Sequence, residues 1–443
     1  MNNSALAKRF TAASLLRFAL PNIIMMIFMS LYTIVDGIFI SRLVGTLALS
    51  AVNMSFPLTS IELAIGIMLA TGGSAIIARK LGEGKAQVAR QDFSFLLWIS
   101  LAIGVLCMVI SLVFLEPLLR LLGTSPAQMP DCIVYTRILM WFSPVLFWQA
   151  MFNSFFVAAG KPTLGLLVTV SGGVANMVLD YVFMGPLHMG VAGAALATGI
   201  GYLIPAVVGI LYFALNRKGS LYLVRCGFYG KMLLQACGNG SSEMVTNVAV
   251  AITTYLFNII FLRHWGEDGV AAITIVLYFQ FVFNSAFFGF AMGVAPVISY
   301  KYGAQDREQL HSIIRTCIRF LLLCSVSVYT ASRLVIAWSL GIFTEPGGSV
   351  YNITMEGFPL FALSFLMMGI SVFASAMFTA FSNGTVSAII SFARTFVFLV
   401  GMLLLLPKAL GEPGIWLAVP AAELLGLAVS VTFLLRGRKQ YGY

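Results

Sequence analysis

Charge is what this chain has least of. Only 9% of its 443 residues are Asp, Glu, Lys or Arg, against about 25% in soluble domains. A globular protein so poor in charge could not cover its own surface in water. Histidine and cysteine are also sparse, at three and six residues. His188, His264 and His311 fall near expected loops, and Cys107, Cys132, Cys226, Cys237, Cys317 and Cys324 are scattered. No CxxC or Cys/His ligand spacing occurs, which argues against zinc and disulfides. No Walker motif is present, so ATP is not the direct energy source. Nor is there a nucleophile–base pair, so the chain does not read as an enzyme, and no cofactor is expected.

What is abundant is apolar sequence, 60% of the chain. A spanning helix needs about 20 mainly apolar residues, and such runs recur along the whole length. Inside lipid the backbone must satisfy itself, so spans are helices or barrel strands. The runs are long and do not alternate, so an all-α integral membrane protein in the lipid bilayer is expected. Spans are expected at 15–40, 46–77, 92–115, 131–158, 163–184, 191–215, 233–262, 268–299, 312–340, 350–381, 385–407 and 413–435. Gly and Pro mark most boundaries, as in Gly160-Lys161-Pro162 and Gly411-Glu412-Pro413-Gly414. The first run is too long for a signal-peptide core and reads as a span rather than a cleaved leader.

Twelve spans put both termini on one side. Of 26 basic residues, 19 fall on that side, from Lys8 and Arg9 to Arg438 and Lys439. Six fall on the other and Arg394 lies within a helix. The positive-inside rule makes the termini cytoplasmic and the location a plasma (inner) membrane. The formal charge of +10 is then an orientation signal, not a nucleic-acid footprint. The expected organisation is a cytoplasmic N-terminus (1–14), a six-helix lobe (15–215), a cytoplasmic linker (216–232), a second six-helix lobe (233–435) and a cytoplasmic tail (436–443).

The halves resemble each other. A shift of 221 residues aligns Arg42 with Arg263, Gly45 with Gly266, Ala51 with Ala272 and Gly72 with Gly293. The same shift aligns Lys80 with Lys301, Gly82 with Gly303, Gly190 with Gly411 and Gly193 with Gly414. Six spans per half is an even number, so the halves share one orientation and their pseudo-two-fold axis runs along the membrane normal. Parallel repeats of this kind belong to transporters that bind between the halves near the midplane.

An ionisable residue inside a span costs roughly 2.5–3.5 kcal/mol on insertion scales and is a functional candidate by default. Asp36 falls near the end of helix 1, Asp180 on helix 5 with Asn176 one turn before it, and Thr198 on helix 6. Residues i and i+4 share a helix face. At about 1.5 Å of rise per residue, Asp36 lies roughly 9 Å, Asp180 roughly 7–8 Å and Thr198 roughly 12 Å from the outer helix ends. Singly, each could serve only helix–helix bonding. Together they suit a small hard cation such as Na+, or a proton shared between two carboxylates. The equivalent positions of the second half hold Phe257, Gly401 and Met402, so the shared scaffold does not demand acids there.

Pro21 interrupts helix 1 some four turns before Asp36 and allows a bend. The expectation is that ion binding changes that bend and so couples the ion to cavity shape. Tyr32, Glu62, Gln149, Asn153, Gln280 and Asn284 are candidates for the substrate cavity, with helix–helix bonding as the alternative for most of them. Arg394 is expected to balance Glu423 or Glu243. The 21 Met and 36 Phe residues suit an adaptable apolar cavity.

With these residues in view, the chain resembles the multidrug and toxic compound extrusion (MATE) family over all twelve spans, in particular its bacterial MepA-like branch. Pro21 and Asp36, Gly72-Gly73 through Arg79-Lys80-Leu81-Gly82, and Ala159-Gly160-Lys161-Pro162 carry the resemblance. So do Asn176 with Asp180, Gly190 through Thr198, Pro296 through Tyr302-Gly303-Ala304, and Gly414-Ile415-Trp416. It implies export of amphipathic, often cationic, organic compounds in exchange for inward Na+ or H+. It also implies a cation site at Asp36, Asn176, Asp180 and Thr198. The family's other pattern, coupling acids on helices 7, 8 and 10, finds no match here, because Glu243 and Glu356 are expected near helix ends. A flippase or exporter of a lipid-linked or metabolic substrate is the rival. It would call for a strongly basic cavity, whereas intramembrane charge here is mostly acidic. A major-facilitator transporter is opposed by the missing GxxxD-(R/K)-xGRR loop. The protein is expected to act as a monomer.

Overall fold

The computed structural model describes residues 5–443; the first four residues of the expected N-terminal segment lie outside the described residues. It is all helical, with no strand among the described residues. Ten continuous helices are long and apolar enough to cross a membrane. One of them, Gly230–Gly303, is two helices joined across a corner at Gly266, and a further span is built from Met129–Trp141 and Ser143–Ala158. The spans are therefore twelve. They are α1 (Ala12–Phe39, continued by a π-turn Ile40–Val44), α2 (Thr46–Gly82), α3 (Ala86–Val113), α4 (Met129–Trp141 with Ser143–Ala158), α5 (Pro162–Met184) and α6 (Gly190–Leu215). The second set is α7 (230–265), α8 (267–303), α9 (Arg307–Phe343), α10 (Ser349–Ala380), α11 (Gly384–Leu410) and α12 (Glu412–Tyr441).

Helix ends follow local chemistry. Thr11 caps α1 through a reciprocal pair of hydrogen bonds with Ser14, a capping box. Asp306 caps α9 by accepting from the Gln309 N–H at 3.2 Å, and Asn383 caps α11 by accepting from Val386 N–H at 3.2 Å. The break in α4 falls at Phe142, just before Pro144, which has no N–H to continue the ladder. Several helices outrun the expected spans: α3 starts at Ala86, α9 at Arg307, and α12 runs to Tyr441 rather than ending at 435. Hydropathy marks the bilayer, while a capped helix continues past it into the charged surface.

The repeat is visible in the joints. Gly45 before α2 and Gly266 before α8 both have positive φ, 127° and 65°. Only glycine enters that region freely, so both α1–α2 and α7–α8 corners turn on one. The same glycine register builds the contact between lobes. A Cβ at Gly82 of α2 would overlap the Tyr300 carbonyl of α8, and a Cβ at its counterpart Gly303 would overlap the Arg79 carbonyl of α2. Gly72 likewise abuts the Ala236 carbonyl of α7, and Gly293 abuts Ala19 of α1. Arg79 adds its guanidinium over the Tyr302 ring at 5.2 Å.

The corners at Gly45 and Gly266 lie at the far end, and the glycine contacts between the lobes lie towards the end that carries the termini. One apolar cluster joins both lobes there, from Leu6, Phe93 and Phe155 to Phe287, Phe378 and Tyr443. At the opposite end the cores are separate, one around Tyr135, Met184 and Val191 and another around Phe261, Phe358 and Trp416. The lobes are thus clamped at the termini end. An N-terminal strap crosses the clamp: Ala5 sits against Gly160 of the first lobe. Its Phe10 N–H donates to Gln309 Oε1 at 2.8 Å, and the Ala7 carbonyl accepts from Lys301 Nζ at 3.3 Å in the second lobe.

Candidate functional site

Three helices deliver the first-lobe site. Glycines let them close on one another. A Cβ on Gly172 of α5 would come 2.6 Å from the Gly201 carbonyl of α6, and one on Gly173 would come 2.5 Å from the Phe28 ring of α1. This packing sets the expected residues side by side. Asn176 Nδ2 donates to Thr198 Oγ1 at 3.4 Å, and α1, which carries Asp36, packs along α5, which carries Asp180. Asp180 is fully buried and Asn176 nearly so.

The oxygens of the site lack donors. Asp36 Oδ1, Asn176 Oδ1 and both carboxylate oxygens of Asp180 are buried with no hydrogen-bond partner. Buried polar atoms are normally satisfied, and four orphan acceptors in one place form a demand for positive charge. A proton between the carboxyls or an oxygen-seeking cation supplies it.

Tyr32 stands one turn before Asp36 on α1, and Tyr135 of α4 and Tyr202 of α6 belong to the apolar cluster at this end of the first lobe. Tyr32 was among the expected residues; Tyr135 and Tyr202 were not. Their aromatic rings merge with the apolar pattern of α4 and α6, so only their packing in this cluster reveals them. The second lobe has no such site at the equivalent place. Phe257 is 2% exposed there, with its ring centroid 6.2 Å from Phe261.

Of the expected cavity residues, Glu62 and Asn153 are engaged by neighbouring side chains. Glu62 accepts from Ser111 Oγ at 3.1 Å and from Ser143 Oγ, tying α2 to α3 and α4 inside the first lobe. Asn153 Oδ1 accepts from Thr169 Oγ1 of α5 at 3.0 Å. Gln149 is buried, Gln280 is half-buried and Asn284 Oδ1 is buried without a donor. A cavity of about 950 Å³ opens elsewhere, between α7, α8 and the α9–α10 turn. Its lining includes Tyr255, Asn258, Glu267, Thr274, Thr344 and Val350, and none of the six expected residues.

The placement of Glu243 near a helix end needs correcting. It stands thirteen residues from the Gly230 start of α7, is 6% exposed and shares a small cavity with Arg394. Ten residues already separate it from the expected start at 233, about 15 Å along the helix. Arg394 itself pairs with Glu423 at 3.0 Å, the first of its two expected partners.

The comparisons agree with this architecture. The MatE family model matches residues 21–182 and again 230–404, once in each lobe. The multidrug export protein MepA of Staphylococcus aureus (strain N315) is 22% identical over 437 residues, covering 96% of this chain and 94% of that protein. Two solved structures share the fold. An outward-facing multidrug resistance MATE family transporter of the MOP superfamily has a TM-score of 0.90 at 23% identity, covering 98% of this chain and 96% of that one. A MATE protein in complex with MaL6 has a TM-score of 0.91 at 23% identity, covering 98% and 97%. Twelve helices in two like lobes, a family match in each, and full-length relatives leave one assignment: this chain is a multi-pass membrane protein of the MATE transporter family.

Proposed function

We propose that the protein is a secondary antiporter that exports amphipathic organic cations in exchange for inward H+ or Na+. The observation that carries the reading is the set of four donorless buried oxygens on Asp36, Asn176 and Asp180. An acceptor-only pocket inside a membrane binds and releases positive charge as the lobes rock. Relatives whose printed name is multidrug export protein support the outward direction and the drug class. The basic-residue asymmetry supports cytoplasmic termini in a plasma membrane, and the protein works as a monomer.

Helix α1 links ion to motion. Its Asp36 end packs with α5 and α6, while next to Pro21 the Asn22 amide donates to the Gly289 carbonyl of α8 at 2.8 Å. One helix therefore touches the ion site in one lobe and the clamp to the other. Positive charge at Asp36 and Asp180 removes their repulsion and lets α1 settle against α5. The proline, lacking its N–H, takes up the change as a bend.

Efflux from proteoliposomes with the pH gradient and the Na+ gradient imposed separately tests this. One gradient should drive efflux in the wild type, and both Asp36→Asn and Asp180→Asn should abolish the drive. Variants that still couple normally would make the carboxyls structural and the proposed mechanism wrong.

A further inference from the structure

Between Asp180 and Glu243 the chain has no acidic residue, and the segment that joins the lobes falls inside that stretch. It runs from the end of α6 at Leu215 to the start of α7 at Gly230. Although not helical, it is fastened to the first lobe. Arg90 of α3 donates to the Ser220 carbonyl at 3.0 Å and sets its guanidinium 4.2 Å from the Tyr222 ring centre. Arg217 donates to the Leu223 carbonyl at 2.7 Å and stands over the same ring at 5.5 Å. The Val224 N–H donates to Ser94 Oγ of α3 at 2.9 Å.

These contacts fix the depth of the segment. Phe228 and Tyr229 each meet the Phe95 ring of α3 edge-on, with centroids 5.6 Å apart. Phe95 lies three residues inside the expected start of that span at 92, roughly 5 Å along the helix. The end of the segment therefore lies at the bilayer edge and not in the water beyond it. Phe95 is buried beneath it, yet Phe228 itself is 77% exposed. Trp98, one turn further along α3, is also exposed. Lys218 and Arg225 on the segment and Lys231 just after it are exposed as well. Among the described residues none of these three cations pairs with a carboxylate. Bare aromatic rings beside Lys and Arg are what interface-seated segments present to a bilayer.

We propose that the 216–229 segment, together with Lys231, docks on the bilayer surface at the termini end and binds anionic phospholipid. Phe228 seats at the boundary between headgroups and acyl chains, and Lys218, Arg225 and Lys231 take the lipid phosphates. Cations close to an anionic leaflet are attracted to it over about a Debye length, and the depth of Phe228 keeps Arg225 and Lys231 within that range. A signal that only orients the spans needs charge, but neither an exposed ring nor a fastened backbone, and this segment has all three. Gly230, the first residue of α7, follows Tyr229 directly. Lipid bound here therefore holds the first lobe and the root of the second to one leaflet. Nothing in this rests on the ion site of the first lobe.

The test uses the full chain in nanodiscs that mix phosphatidylcholine with phosphatidylglycerol, each lipid brominated in turn near the headgroup end of its acyl chains. The fluorescence that Phe228→Trp adds should be quenched, and more strongly by brominated phosphatidylglycerol than by brominated phosphatidylcholine. Arg225→Gln/Lys231→Gln should lower that preference by up to about five-fold per cation removed. Arg436→Gln/Arg438→Gln, which takes two other exposed cations from the same end, should leave it unchanged. Should Phe228→Trp not fold, spin-labelled forms of the two lipids measure the same preference on the wild type and on both charge variants. Absence of quenching by either lipid would put the ring in water and overturn the docking. Equal quenching by both lipids, or a preference that falls alike in the two charge variants, would overturn anionic-lipid binding by this segment.

Discussion

Arg394 illustrates how a single buried residue can serve packing and charge together. Its guanidinium bonds to Glu423 while its aliphatic stem fills the space that Gly426 leaves open on α12. Arg394→Ala strands two carboxylates in the lobe, and breaking a buried pair in this way costs about 3–5 kcal/mol. A clear drop in Tm in detergent is the expected result, with Glu423→Gln milder because it leaves Glu243 as a partner for the guanidinium. In the other lobe, Gly201 faces Asn176, and a Cβ there would come 3.1 Å from the Asn176 Cβ. Gly201→Val should therefore push the amide off Thr198 and reduce ion-driven efflux, while the monodisperse elution of the folded protein is kept. The four first-lobe residues were legible because an i, i+4 pair and similar depth on neighbouring helices can be counted from letters. Tyr135 and Tyr202 were not, since whether a ring faces lipid or a carboxylate depends on helix rotation. Glu62 is a different case: an acid in a span draws attention in the sequence, but its two serine partners from α3 and α4 appear only in the packing.

Among the elements, α1 carries the most distinctive assignment. Before its proline Ala19 lies against Gly293 of α8 in the second lobe, and beyond it Phe28 lies against Gly173 of the first lobe, on the way to Asp36. Pro21→Ala restores a backbone donor and a favourable residue, a change of about 3 kcal/mol in helix-interior preference. The expected outcome is a stiffer α1 with efflux strongly reduced. Distances between spin labels on its two halves should then no longer respond to the coupling ion. An unchanged ion response would remove the hinge from the mechanism. Element ends were the least legible feature of the sequence. The first turn of α9, with Arg307 and Glu308, reads as loop by hydropathy, yet Asp306 caps it into helix. The corner at Gly266 was legible through its partner Gly45, because two positions needing the same backbone conformation keep the same residue type.

At the scale of the molecule, the 221-residue offset turned out to mark the working contacts. Gly82 and Gly303 are sequence coincidences until the lobes are seen to meet main chain to main chain at both. A side chain there meets a carbonyl group, which cannot swing aside. Gly303→Leu should pry the lobes apart at the termini end and shift the population towards the opposite opening. Spin labels at the ends of α2 and α8 should report the longer distance, and efflux should fall although the helices remain folded. Labels that keep the wild-type separation would show that the seam does not hold this state. The state itself could not be read from sequence, because both arrangements of the lobes bury the same repeat.

The strap also places a constraint on how the protein is made. Arg9 pairs with Glu308 and Phe10 bonds to Gln309, partners 299 residues further along the chain. While the ribosome is still producing the first lobe, the N-terminus can make only its first-lobe contacts, such as Ala5 against Gly160. It becomes anchored to the second lobe only after α8 and the start of α9 have emerged and the halves have docked. Contacts so distant in sequence form late, so the strap is the last fastening of assembly, and its protection from protease marks the moment at which a newly made chain becomes a finished transporter.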